Sequence, residues 1–456
     1  FGDNNGSASR IANLTVDAGS LTLNTTVDDI AGDFTLNTGT LDLGADFSAD
    51  GAIDLLSSGA VTLNADLTLT AGSMSLNGAI RGTQALTLSS AGTMALNAAV
   101  GTSTAPLSSL SVTGGGQLAL DAGDIFTSGA QSYGTAVLLT GANTLTSTAS
   151  GNISFDEAVD GGQSLTINTA GETRFDAAVG GAEDAGLSTL TTDAPGTMVI
   201  AGGAITATGA ITLNEVVTLE ADTVLTGATF SAAGVDGENG DTDFNLTIDA
   251  VTTLVGDVIN INDLTIDKAA TIQADITTGG TQTYNALVTL DPASSDLVTL
   301  TGAGGTLAGG VDGQDHDLTL DFGGTTAIGG GLFTNLRDLT VEGVLGRTTE
   351  LSASITTTGE QRYNAAVVLT DNTTLESTGG EDIRFGNRVD TQATENNTLT
   401  VNTAGTTTFE AAIGTGADRL GGIITNNGGV TRLNAGEVFA TGDQRFDDGL
   451  ILGANT

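Results

Sequence analysis

The 456-residue chain has no cysteine and no tryptophan, and it carries only three prolines, one lysine and one histidine. Without cysteine there are no disulfides and no thiolate metal sites. One histidine, His316, makes neither a zinc site nor a catalytic triad. Disordered chains are usually rich in proline and poor in aliphatic residues. Here hydrophobic residues make up 39% and alternate regularly, so disorder is excluded. Glycine is abundant at 66 residues but has no period of three, so collagen is excluded as well. Basic side chains are scarce: 12 Lys and Arg stand against 54 Asp and Glu, a formal charge of −42. Nucleic acid and anionic membrane surfaces would be repelled. Self-repulsion also works against the compact state, and salt or divalent cations relieve it. Such a balance suits an extracellular or saline setting. No apolar run approaches the roughly 18 residues of a membrane span. Residues 1–10, FGDNNGSASR, lack the features of a signal peptide and read as a polar lead-in or linker.

What the chain does have is repetition. Ile167 to Gly180 reads INTAGETRFDAAVG, and Val401 to Gly414 reads VNTAGTTTFEAAIG. Nine of the fourteen positions are identical, and three of the five differences are conservative swaps. Upstream, Gln131-Ser132-Tyr133 recurs as Gln361-Arg362-Tyr363. The same start appears as Ile211-Thr212-Leu213 in degenerate form, as Gln282-Thr283-Tyr284, and as Gln444-Arg445-Phe446. The starts at 131, 211, 282, 361 and 444 are spaced 80, 71, 79 and 83 residues. A unit that long exceeds one supersecondary element, so it must hold several.

Within each unit, strings of the form apolar-x-apolar-Asn keep returning, as at Leu21 to Asn24, Met74 to Asn77 and Leu165 to Asn168. Strict alternation marks strands with one buried face. Threonine is the usual polar partner and suits a pleated strand. Asn and Gly close each strand, since both tolerate the backbone of a corner. Short strands without a helical period give an all-β fold. A β-sandwich would show linkers between domains, and none is visible. A parallel β-solenoid with coils of roughly 20 to 25 residues fits better, with degenerate repeats of about 80 residues that each span three or four coils. Asn residues stacked at one corner would form an amide ladder.

The chain then divides into residues 11–130, with the densest short-period pattern, and residues 131–456, where the long repeat takes over. GVDGENGDTD, from Gly234 to Asp243, and GQDHD, from Gly313 to Asp317, lack the strand pattern and read as acidic loops extruded from corners. The chain stops in mid-unit with no amphipathic helix to cap a terminal coil. The expectation is a window of a longer chain, or a subunit whose ends meet others.

The LTLN-type strings, the NTAG corner and the absence of cysteine resemble the filamentous-haemagglutinin-like exoproteins of bacteria, secreted by the two-partner route or as autotransporter passengers. The resemblance covers nearly the whole chain and is one of composition and period. It implies a right-handed parallel β-helix, export to the cell surface or medium, and a role in adhesion or matrix formation. Partners would be neighbouring coils of a longer chain or identical subunits stacked end to end, with host or surface glycans as ligands.

Four acidic residues, Asp236, Glu238, Asp241 and Asp243, could ligate calcium from a flexible loop. Their spacing matches neither the EF-hand nor the GGxGxD nonapeptide, and a solvated acidic loop is the plainer reading. His316 between Asp315 and Asp317 is read as a surface residue rather than a ligand or base. Tyr133, Tyr284 and Tyr363, the only tyrosines, share one repeat position. A sugar-binding array is conceivable, but Phe446 and Leu213 substitute there, which favours a core ring. Asn13-Leu14-Thr15 and Asn245-Leu246-Thr247 match glycosylation acceptors but follow automatically from the corner code. Ice binding would need threonines held at one coil position, and the sequence spreads them over several strands. Paired carboxylates would suffice for glycoside hydrolysis, yet none stands out as a pair. The expectation is therefore a structural rather than an enzymatic chain, with an end-to-end filament as the alternative and a carbohydrate-active enzyme a distant third. No cofactor is expected, calcium excepted.

Overall fold

A computed structural model of the chain describes residues 10–181, 186–237, 244–293, 295–343, 346–416, 418–426 and 428–453. Among these residues there is no helix, and the strands stack in parallel as a β-solenoid of about 20 turns. The chain falls into two compact units, Phe1–Ala232 and Ala233–Thr456.

In the first unit each turn has three sides. One turn is built from the strands Gln131–Tyr133, Ala136–Leu139 and Asn143–Ser147. The next turn lays Ile153–Phe155, Val159–Asp160 and Ser164–Thr169 beside them in parallel register. Alternation fixes which side chains go in: Tyr133 faces the axis and pairs with Phe155, while Ser132 faces out and pairs with Ser154. One inward column runs without a break through Val27, Phe47, Leu69, Leu88, Val112, Tyr133, Phe155, Phe175, Ile200 and Leu219. All ten are buried. The second unit is built alike, with a column from Leu300 through Val341, Tyr363, Phe385 and Phe409 to Leu433.

The long repeat is not a whole number of turns. In the first unit the column of Gln131 continues through Ile153, Thr173, Met198 and Val217. The next start, Ile211, belongs to a different side, with Asn143, Leu165 and Leu190. In the second unit three turns carry the column of Gln282 to Thr349, and two further sides, Ile355–Thr357 and Gln361–Tyr363, bring the next start. Gln444 again lies on another side from Gln361, in the column of Thr373, Leu399 and Ile423. The repeats that start at 131, 282 and 361 are therefore three turns and two sides long, and in each of them the motif steps back by one side.

The recurring Ala-Ala-Val/Ile-Gly string has a local cause. Val100, Val179 and Ile413 each make a single bridge to the following turn, to Ile125, Ile205 and Val438. The glycine that follows turns left-handed, with φ of 67° at Gly101, 67° at Gly180 and 70° at Gly414. A Cβ there would strike the carbonyl oxygens of Phe126, Thr206 and Phe439 in the adjacent turn. Only glycine meets both demands.

One expected loop, Gly313 to Asp317, and the described part of the other, Gly234 to Gly237, are strand. Gly234 to Gly237 ends the strand Thr223–Gly237, where Val235 is buried and Asn260 Nδ2 donates to Asp236 Oδ1 at 2.7 Å. Gly313 to Asp317 lies inside the strand Val311–Phe322 as a bulge, with Gln314 and Asp315 at φ 48° and 68°. Neighbouring turns supply partners that keep these polar segments in the sheet. Asn335 donates to Asp312, and Arg337 clamps Asp317 and Asp296. Among the described residues the expected Asn ladder exists as short rungs. Asn97 donates to Asn77 at 2.8 Å and Asn262 to Asn245 at 2.9 Å, while Asn37, Asn285, Asn364 and Asn434 donate instead to carboxylates one turn away.

Candidate functional site

The most constructed polar site is internal. Each Gln-x-Tyr start is part of a longer signature: TSGAQSY at Thr127–Tyr133, TGGTQTY at Thr278–Tyr284 and TTGEQRY at Thr357–Tyr363. The glutamine points inward, into columns otherwise occupied by Leu110 and Ile153 or by Leu339 and Ile383. An unpaired amide there would cost roughly 1–3 kcal/mol, and every one is paired. Gln131 Nε2 donates to Thr127 Oγ1 at 3.2 Å and to the Thr146 carbonyl at 3.0 Å, and Tyr133 Oη donates to Gln131 Oε1 at 2.9 Å. Gln282 and Gln361 repeat the set, receiving Tyr284 and Tyr363 at 2.8 and 2.9 Å. The threonine hydroxyl in turn donates to the glycine carbonyl two residues on, at 2.7, 3.1 and 2.8 Å. Burial pushes all three phenols far above the ordinary tyrosine range, so they stay neutral donors.

The tyrosines are thus core rings. Tyr133, Phe155 and Phe175 stack at 4.9 and 5.0 Å between centroids, and Tyr363, Phe385 and Phe409 at 5.3 and 4.8 Å. At the fifth start, Ala440 and Phe446 replace the threonine and the tyrosine, and Gln444 is exposed.

Sequence reasoning missed two inward carboxylates. Glu215, 3% exposed, accepts from Thr192 Oγ1 through Oε2, and its Oε1 has no hydrogen-bond partner. Burial raises its pKa, and the Thr192 bond opposes that only in part. Asp448 occupies the equivalent place in the second unit, but both its oxygens are used: Thr425 donates at 3.0 Å and Thr431 at 2.7 Å. Met198 stands where Thr431 would complete the pair for Glu215. Nothing in the local sequence distinguishes these carboxylates from outward ones except that each lies two residues past an inward position, Leu213 or Phe446.

Of the calcium candidates, Asp236 is held by Asn260 as described, and Glu238, Asp241 and Asp243 lie outside the described residues. No group of three or more His, Asp or Glu side chains that could hold a metal occurs among the described residues. His316 Nδ1 lies 3.9 Å from Asp296 Oδ1, a carboxylate already paired with Arg337 at 3.0 Å. Asn13 and Asn245 serve as corner acceptors, taking the backbone N–H of Asp33 at 2.7 Å and of Asp263 at 3.1 Å. A cleft of about 520 Å³ lies against the last described turn, lined by Leu433, Glu437, Phe439, Phe446 and Leu452.

On the outer surface the structure overturns one expectation. The threonines are held at fixed coil positions. Thr144, Thr166, Thr191 and Thr212 form one in-register rank in the first unit. Thr247, Thr265, Thr283 and Thr306 form another in the second. The reason is register: one-residue strand phase is locked by the buried column behind each rank, so outward residues stack as strictly as inward ones.

No known protein family, curated protein or solved structure matches this chain.

Proposed function

We propose that the chain is a structural segment of an extracellular bacterial surface protein, acting as a rigid stalk or matrix component. The observation that carries this reading is the unbroken buried column in each unit, in which every turn is locked to the next by backbone pairing and by side chains in register. Bending such a stack would break ladder bonds and open the core together, which makes each unit stiff. The polar investment of the fold goes into internal Gln–Tyr–Thr locks, which serve shape rather than turnover. In this reading the chain is not an enzyme and needs no organic cofactor. Its charge of −42 keeps it dispersed in salt water. Its partners are further coils of the same architecture and glycans at the surface it reaches.

The test is antibody labelling of intact source cells, using serum raised against the folded chain. Labelling of the cell periphery or surrounding matrix supports the reading. Labelling that appears only after the cells are permeabilised overturns it.

A further inference from the structure

The strands Asn143–Ser147, Ser164–Thr169 and Thr189–Thr192 and the first half of Ala210–Leu219 form one side of four successive turns in the first unit. Their central outward rank is Thr144, Thr166, Thr191 and Thr212, paired residue by residue with no bulge. Beside it stand Thr146, paired with Asn168, and Thr189, paired with Ser164. No charged side chain projects outward from these strands. Asp193, one residue past the strand Thr189–Thr192, continues the rank of Thr146 and Asn168, and its Oδ1 takes the backbone N–H of Thr169 at 2.8 Å. Asp124 stands one turn below Thr144. In a chain of charge −42, four strands without an outward charge, with one backbone-bonded carboxylate beside them, are a departure from the rule. The threonine rank of the second unit shows the rule, since Asp249 and Asp263 are outward neighbours on the same strands and Asp267 follows one residue beyond, as Asp193 does in the first unit.

The patch is a grid. Ranks repeat about 4.8 Å apart along the stack, and outward residues on one strand lie about 6.7 Å apart. Each threonine presents a methyl and a hydroxyl, and β-branching holds both in place. A charged group binds water in orientations that a neutral lattice cannot share, and a long side chain loses rotamer freedom when it is immobilised. A rigid neutral grid of hydroxyls and methyls has neither handicap. Its area is only a few hundred Å², well below the roughly 800 Å² per partner of a stable protein interface. A second copy is therefore a poor occupant, whereas an extended solid with its own periodic hydroxyl lattice meets every rank at once. We propose that this patch adsorbs to ice.

The experiment measures thermal hysteresis and ice recrystallisation with the chain as it exists. It compares Thr166→Glu/Thr191→Glu on the patch with Thr265→Glu/Thr283→Glu on the charged rank, and circular dichroism melts verify folding. A single Thr166→Lys variant replaces the double if the latter unfolds. Facetted crystals with a freezing-point gap, lost in the patch variants and kept in the control pair, are expected. A parent chain no more active than serum albumin overturns the proposal, as do patch variants that keep full activity. Association of copies in sedimentation that the patch variants abolish, without any effect on ice, overturns it in favour of a protein contact.

Discussion

At the scale of single residues, the fold is governed by how buried polar atoms are satisfied. Tyr363→Phe removes the donor to Gln361 Oε1 and leaves an amide oxygen buried among apolar side chains. The loss is expected at about 1–3 kcal/mol. Replacing both partners, Gln361→Leu with Tyr363→Phe, should cost less than the two single changes added together, because no orphan remains. A double-mutant cycle by denaturant unfolding measures this, and strict additivity would count against the lock. Glu215 makes the opposite case. Its folded pKa lies above the unfolded value, so the folded state holds its proton more tightly. Below the ordinary carboxylate range both states are protonated and Glu215 carries no penalty. As pH rises from that range through the raised folded value, the unfolded state releases its proton first and stability falls. Above it the penalty is constant. Glu215→Gln should therefore raise the melting temperature at pH 7 and leave it nearly unchanged at pH 3. A variant that melts lower at pH 7 would show that the carboxylate is held by more than Thr192.

At the scale of the element, corners matter more than strands. Gly414 combines a φ of 70° with a carbonyl in the path of any Cβ. Gly414→Ala should cost at least the roughly 1–2 kcal/mol of a left-handed backbone. Hydrogen exchange should quicken first around Ile413, whose amide bonds to Glu437 at 3.1 Å. Uniform exchange along the chain would argue that the corner is not a separate weak point. The corners also absorb length changes. The second copy of the long motif has four extra residues between Val389 and Leu399. They form a turn in which Thr394 takes φ 73° and the Glu395 amide bonds to the Gln392 carbonyl, and the flanking strands keep their register.

At the scale of the whole molecule, the repeat and the turn are incommensurate. A deletion of residues 282–360 removes one repeat and joins Thr281 to Gln361, which restores the sequence Thr278 to Tyr363 of a complete lock. A deletion of residues 282–348 removes three whole turns and the Gln282 lock, but it leaves the Gln361 lock intact and keeps every later strand on its side. Each deletion thus leaves one of the two locks and only the second preserves side identity, so the second is expected to melt closer to the parent, by circular dichroism. The reverse order would mean that the spacing of the repeat outweighs side identity. The acidic balance acts at this scale too, since twelve basic residues cannot neutralise 54 acidic ones. The ion pairs that do form lie within one strand or join turns one or two apart, as Arg174 does with Asp176 at 2.6 Å and with Glu220.

Much of this architecture was legible in the order of residues. Alternation in strings such as Leu165 to Asn168 marked strands, and the shared position of Tyr133, Tyr284 and Tyr363 marked core rings, because both follow from local periodicity. The threonine four residues before each Gln-x-Tyr glutamine was equally visible, yet its meaning needed the fold. Only there does the Gln131 amide reach the Thr146 carbonyl one side away. The sequence by itself determined that the chain is a solenoid of parallel strands, how the strands alternate and where the repeat begins. The tertiary structure alone decided that Asp236 and His316 stay in strands, that Glu215 faces inward, that threonines form ranks and that the motif steps around the coil. These depend on which residues of neighbouring turns come into register, some twenty positions apart along the chain. No local pattern carries that information.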